Sequence, residues 1–340
     1  MRWRASRRAA APQRRSNLVH PLRRFPRTHG DPMSLCEHPI AAVETALSSI
    51  KHLTLWIALL LATLVLLAAC SPLTVLNGVR ARGTESVEPG VPYGEGPRRQ
   101  LDIHTPATAA PPGGWPVVVF FYGGSWNSGS RADYRFVGEA LAARGVLTLV
   151  ADYRLYPEVR FPEFLNDSAQ ALAYGLREAG RLGGNPKRVF VMGHSAGGYN
   201  AAMLALDARW LKGAGHRPDE LAGFIGLAGP YEFLPINNPD ARPVFFHPNY
   251  PPGTQPIAFA SSSAPRSFVA APVNDKLVSP QRSTVALSAK LAEAGVPVTT
   301  KLYERVSHTT LIGAFARPLR WLAPVLDDVV AFIEAAPARP

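Results

Sequence analysis

The sequence predicts an α/β fold with a mostly parallel central sheet, helices on both of its faces and a small lid-like insertion. Three observations carry this. Several short segments are apolar throughout rather than alternating, which is the pattern of strands buried on both faces. Stretches of helical length separate them, as crossovers between parallel strands require. Between Pro230 and Ser263 the pattern lapses into YEFLPINNPDARPVFFHPNYPPGTQP, crowded with Pro, Asn and aromatics, and a loop of that length beside a compact core usually covers a site. The chain of 340 residues has room for one such unit of about 250 residues.

The N-terminal region stands apart from that unit. The net charge is +11, but residues 1–70 hold 10 Lys and Arg against 3 Asp and Glu, so the remainder carries only +4. The nine arginines before Asp31 lack interleaved aromatics or a groove-reading motif, and no nucleic-acid partner is expected. Residues 1–52 are read as a basic extension, with Met33 as a more ordinary start and residues 1–32 as an upstream addition. From Leu53 to Ala69 seventeen residues pass without a charge, and residues 53–70 form a signal core or membrane anchor at the lower length limit for a spanning helix. The stretch LAAC, Leu67 to Cys70, resembles the bacterial lipoprotein signal. That resemblance implies lipidation at Cys70, export and membrane anchoring, with the outer membrane favoured because Ser71 is not a retention aspartate. A plain N-terminal transmembrane anchor is the alternative. Only Cys36 and Cys70 occur, so stability must come from packing rather than disulfides.

Residues 71–91 read as a tether, and the unit proper as 92–335. RQLDIH (99–104) is an edge strand, VVVFF (117–121) a buried strand, and YRFVGEALAARG (134–145) a helix closed by Gly145. VLTLVAD (146–152) is a strand, FPEFLNDSAQALAYGLREAG (161–180) a helix, and RVFVM (188–192) a strand leading into a helix just after Ser195. Strands follow at GFIGLAG (223–229), SFVAAPV (267–273) and VTTKLY (298–303), with helices at 280–294 and 320–335. The insertion spans 230–263.

Gly193-His194-Ser195-Ala196-Gly197 fits G-x-S-x-G between an apolar strand and an alanine-rich helix, where a nucleophile elbow must lie. The glycines are explained by the tight turn, in which a Cβ on either neighbour would clash. A serine hydroxyl needs a base to become a nucleophile at neutral pH. Among His216, His247 and His308, only His308 follows the last strand, with one helix still to come. For the orienting carboxylate, Asp275 lies in NDKLV beyond the strand SFVAAPV, at the sheet end where ligands of open α/β sheets bind. Asp240 and Glu232 sit in the insertion, and Asp207, Asp219 and Glu220 come too soon after the elbow. Donors for a developing oxyanion are expected from FYGGSW: the amides of Gly124 and Ser125, together with that of Ala196. Tyr122 and Trp126 are expected to shape or line the acyl pocket. His194 should point away from the serine hydroxyl. Asp152, Arg154 and Glu158 are read as structural charges. No H-E-x-x-H, clustered His and Cys, or phosphate-binding glycine loop is present, and no metal or nucleotide cofactor is expected.

These residues resemble the α/β-hydrolase superfamily, near the bacterial carboxylesterases related to hormone-sensitive lipase and kynurenine formamidase. FYGGSW looks like the oxyanion motif H-G-G-x-W, ADYRLYPEVRFPEFLND like D-Y-R-L-x-P-E-x-x-F-P, and GHSAGG like the elbow, over roughly residues 92–335. The resemblance implies a serine hydrolase of small carboxylic esters, with Ser195 as nucleophile, His308 as base and Asp275 as orienter, and without a metal. Tyr122 stands where the family usually has histidine, and Ala271-Pro272 where many relatives have His-Gly. An amidase or formamidase using the same three residues, or a non-catalytic binding module on the same fold, are the competing expectations. The sequence leaves the oligomeric state open.

Overall fold

The computed structural model describes residues 38–70 and 85–337. The arginine-rich segment up to residue 37, with Met33, and tether residues 71–84 lie outside the described residues, as does the side chain of Cys70. The chain divides into two compact units, the first ending at Leu64. Helix α1 (His38–Cys70) carries the uncharged run and leaves Leu53, Trp56 and Leu60 more than half exposed. Among the described residues no helix is long and apolar enough to cross a membrane.

The second unit is built on one eight-stranded sheet, in the order β1 (Glu85–Pro92), β2 (Gln100–Pro106), β4 (Leu147–Ala151), β3 (Trp115–Phe121), β5 (Gly184–His194), β6 (Gly223–Leu227), β7 (Ser267–Pro272) and β8 (Val298–Tyr303). Strands β1 and β2 form an antiparallel edge hairpin. The tether expected over 71–91 therefore gives way at Glu85, because the backbone from Glu85 pairs with Pro106 and enters the sheet. β2 meets β4 antiparallel, and every later pairing is parallel. β3, β4 and β5 lie at the centre, and the VVVFF segment is completely buried.

The strands β6, β7 and β8 extend the sheet on the far side of β5. From β3 the chain turns to β4 on one side and then to β5 on the other, so a crevice opens between the carboxyl ends of β3 and β5. A switch of this kind is where open α/β sheets bind ligands.

Helix α2 (Arg135–Ala142) covers β2 and β4 and touches α8 (Val325–Glu334), whose Phe332 packs on Phe190 and Phe268. α3 (Glu163–Glu178) and α4 (Ala196–Leu206) cover the centre of the sheet, and α5 (Ala208–Gly213) packs on both of them. α3 buries Leu165, Ala169, Leu172 and Leu176, one stripe at helical spacing. Every residue of α4 is buried, which explains its alanines and glycines: a helix enclosed on all sides leaves little room for long side chains.

Two helices differ from the sequence expectation. The one expected at 320–335 breaks at Pro324 into a 3-10 segment (Arg317–Leu322) and α8, since proline has no N–H to give and holds Ala323 extended at φ −162. The one expected at 280–294 opens with a π-turn (Gln281–Val285) before α6 (Ala286–Glu293).

The insertion contains only short 3-10 turns, at Pro243–Phe245 and Pro256–Phe259, but its backbone is tied on several sides. Phe233 N–H donates to Gln255 (2.7 Å), Ile236 N–H to the Tyr250 hydroxyl (3.0 Å), and Phe161 N–H to the Val244 carbonyl (3.1 Å). Phe245 packs against Trp126, Tyr199 and Phe233. Side chains do here what a β-ladder does elsewhere, and the insertion forms a fixed wall.

Candidate active site

β5 delivers the elbow into the crevice. Ser195 adopts φ 54 and ψ −122, a strained conformation for a residue with a Cβ, and its N–H is pinned to the Leu227 carbonyl of β6 at 2.9 Å. The turn needs bare glycines. A Cβ on Gly193 would lie 2.0 Å from the Gly197 carbonyl oxygen, and one on Gly197 would lie 2.1 Å from that of Phe121.

The loop after β8 brings His308 to the serine as the first residue of α7 (His308–Gly313), capped by Ser307, which accepts the Thr310 N–H. The Ser195 hydroxyl and His308 Nε2 are 2.8 Å apart, and His308 Nδ1 lies 2.7 Å from Asp275 Oδ2. A carboxylate can only accept, so the ring proton sits on Nδ1 and Nε2 is left to receive the serine proton. Burial alone would raise the Asp275 pKa. The hydrogen bond and charge of His308, with the N–H groups of Leu277 (2.8 Å) and Val278 (3.1 Å), outweigh that and hold it below the usual carboxylate range. Ser195, Asp275 and His308, more than a hundred residues apart at the extremes, thus meet in one hydrogen-bonded chain. His216 and His247 do not join it: they bond Glu220 and Tyr250 instead.

His194 Nε2 donates to the His308 carbonyl at 3.0 Å. Burial, with His308 nearby, pushes its pKa down to about 3, so the ring is neutral at any ordinary pH. Sequence reading did not find this contact, because the acceptor is backbone.

Ser125, Trp126, Ser195, Ala196 and His308 line a cavity of about 140 Å³, closed on its other side by Phe233, Ile236 and Ala241 of the insertion and by Val278. The amide of Ala196 opens α4, whose N-terminus favours negative charge. Gly124 does not line the cavity. It holds φ 130 in a turn where a Cβ would meet the Ser128 carbonyl oxygen at 2.2 Å, and so shapes the loop that presents Ser125. Trp126 is both wall and core: its indole N–H donates to Asn200 at 2.9 Å and its ring packs on Tyr199 and Phe245.

Tyr122 does not belong to the pocket. Its side chain is fully buried, and its hydroxyl donates to Asp152 (2.8 Å) and accepts from Arg98 (2.8 Å). A phenol beside two charged partners is held by them and so stays out of the cavity. Asp152 also takes the N–H and guanidinium of Arg131, while Arg154 pairs with Asp167 (2.7 Å) rather than with Asp152.

The family model described as BD-FAE matches residues 101–291, more than half of the chain. The probable isoprenylcysteine alpha-carbonyl methylesterase of Oryza sativa subsp. japonica is 25% identical over 304 residues, covering 82% of this chain and 72% of that protein. Kynurenine formamidase of Salmo salar is 27% identical over 157 residues, and the match spans 46% of this chain and half of that enzyme's length. Among solved structures, an inhibited esterase B from Lactobacillus rhamnosis superposes with a TM-score of 0.66 at 19% identity, over 82% of this chain and 96% of that one, a likeness of fold.

Proposed function

The chain belongs to the BD-FAE family, and from that premise we propose that this carboxylic ester hydrolase cleaves short acyl or small aromatic esters through an acyl-enzyme on Ser195. The observation that carries the reading is the continuous relay from Ser195 Oγ through His308 to Asp275, with separations of 2.8 and 2.7 Å. Ser195 Oγ attacks the ester carbonyl while its proton passes to His308 Nε2, and Asp275 steadies the imidazolium that forms. The carbonyl oxygen takes up the electron pair and is held by the backbone N–H groups of Ser125 and Ala196, on a loop that Gly124 shapes. Collapse breaks the bond to the leaving alcohol, which carries off the proton from His308. Water then repeats the sequence against the acyl-enzyme, releases the acid and returns the proton to Ser195. The small cavity, with Trp126 and Phe233 on its walls, suits a short acyl chain or a single ring.

The same relay can cleave an activated amide, and the similarity to a formamidase keeps that second reading in play. Turnover of p-nitrophenyl acetate against an N-formyl anilide separates the two, and labelling of Ser195 by a fluorophosphonate tests the nucleophile. An unlabelled, folded protein would refute the acyl-enzyme.

The uncharged Leu53–Ala69 run followed by Cys70 further supports an exported lipoprotein anchored by acyl chains on Cys70. Mass spectrometry of the mature N-terminus tests it: a peptide containing Arg14 or Arg23 would overturn cleavage at that cysteine.

A further inference from the structure

We propose that Asn238 is a positioning residue for the oxyanion loop, holding Ser125 so that the loop's N–H groups keep facing the carbonyl oxygen of a bound ester. This rests on the serine esterase reading above. Three successive residues of the loop have positive φ: Gly124 at 130, Ser125 at 49 and Trp126 at 60. Glycine tolerates this freely, but serine and tryptophan do not, and a strained backbone persists only where its surroundings hold it.

The neighbours of Ser125 are each secured by backbone hydrogen bonds. The Gly124 carbonyl accepts the N–H groups of Asn127 and Ser128, both at 3.0 Å, and the Trp126 carbonyl accepts that of Tyr156 at 2.8 Å. Ser125 is secured from across the cavity, where Asn238 Nδ2 donates to its Oγ at 2.9 Å. Both residues line the cavity.

Asn238 is itself set in place. Its Oδ1 accepts the Asp240 N–H at 3.0 Å and its carbonyl the Ala241 N–H at 3.2 Å. Two residues before it, Ile236 donates its N–H to the Tyr250 hydroxyl and accepts from Arg242 Nε, each at 3.0 Å. The insertion is thus an arm anchored at its base that ends in one donor directed at the strained serine. Without that donor Ser125 can relax toward negative φ, which would rotate the amides on either side of it out of line. Donors that must be aimed before charge develops lose their value when they move. The effect belongs in the transition state rather than in substrate binding.

The experiment compares kcat and KM on p-nitrophenyl acetate for the full-length chain, Asn238→Ala, Ser125→Ala and the double variant. Affinity for a trifluoromethyl ketone, which forms a tetrahedral oxyanion adduct with serine, is measured alongside. Each single change is expected to lower kcat about tenfold with KM within about twofold, and ketone affinity should fall with kcat. Because Asn238 acts through Ser125, the double variant should be no slower than the slower single one. Losses that multiply to about a hundredfold, a change confined to KM, or an undiminished kcat would overturn the proposal. Should Asn238→Ala fail to fold, as judged by its thermal melt, Ser125→Ala with the ketone decides alone. Fluorophosphonate labelling of the wild type keeps the two readings apart. No labelling would remove the oxyanion reaction and this proposal together, whereas labelling with a kcat indifferent to Asn238 sinks the proposal alone.

Discussion

Ser195 carries its strain at φ 54 because two glycines leave the space and His308 waits 2.8 Å from its hydroxyl. Ser195→Ala is expected to remove nearly all turnover, a loss of at least about 10⁴ in kcat, and Asp275→Asn about 10⁴ by leaving His308 in the wrong tautomer. Single-turnover kinetics check both, and a variant retaining most of its rate would unseat the residue concerned. His194 makes a separate claim on acid stability. Its pKa falls from 6.5 in a free side chain to about 3 in the fold, chiefly through burial. Between those values the unfolded chain binds a proton that the native one refuses, so stability declines as pH drops through that window, by up to about 1.4 kcal/mol per pH unit. Asp275, depressed in the fold, adds a loss of the same sign at still lower pH. Urea unfolding at pH 7 and 4.5 should therefore show a larger acid penalty for the wild type than for His194→Gln, and equal penalties would contradict the buried neutral ring. Tyr122 marks the limit of reading residues singly. An aromatic side chain after a strand looks like a pocket wall until the charges behind the loop are in view.

At the level of elements, the central strands were legible because burial on both faces leaves nothing but apolar side chains, and VVVFF and RVFVM lie within β3 and β5, whereas VTTKLY forms β8 at the sheet edge, with most of its residues only partly buried or exposed. Helix ends were less so. The break at Pro324 is written in the sequence as a proline, yet an apolar period running across it reads as one helix until backbone geometry separates the two halves. β1 escaped because EPGVP reads as a tether, and only pairing with β2 makes it a strand. The elbow offers a direct test of close packing between elements. Gly197→Ala would drive a methyl to 2.1 Å from the Phe121 carbonyl oxygen, backbone that cannot yield without moving β3. A destabilisation of about 3 kcal/mol in denaturant melts is expected, together with loss of activity. An alanine variant of wild-type stability would mean that the β3 to α4 approach is looser than described.

Across the whole molecule, the edge hairpin, β4 and the loop after β3 are locked by Arg131. Its Nε binds Asp102 of β2 (2.7 Å), its Nη2 binds Gln100 (2.9 Å), and Asp152 beyond β4 takes both its guanidinium and its N–H. Both carboxylates are largely buried. Arg131→Ala would break the ion pair of Asp102 and leave Asp152 with only Arg98, 4.0 Å away, and a loss of about 3 kcal/mol is expected from thermal or urea unfolding. A change under about 1 kcal/mol would place the pair with ordinary surface contacts. Asp152 was legible as structural, but its partner was not: Arg154 stands two residues away in sequence, and Arg131 arrives only through the topology.

The amino-acid sequence by itself determined the alternation of buried strands and helices, the elbow at Ser195, and His308 and Asp275 as the residues in the right order beyond it. Those follow from local chemistry, since burial periodicity, glycine placement and side-chain type are properties of short segments. Only the tertiary structure decided which atoms meet. The turn of Tyr122 toward Asp152, the hold of His194 on the His308 carbonyl, the reach of Asn238 across the cavity to Ser125, and the entry of Glu85 into the sheet each join segments far apart in the chain. No short window of sequence contains both partners, and in two of the four contacts a partner is backbone, whose hydrogen-bonding groups are the same at almost every position.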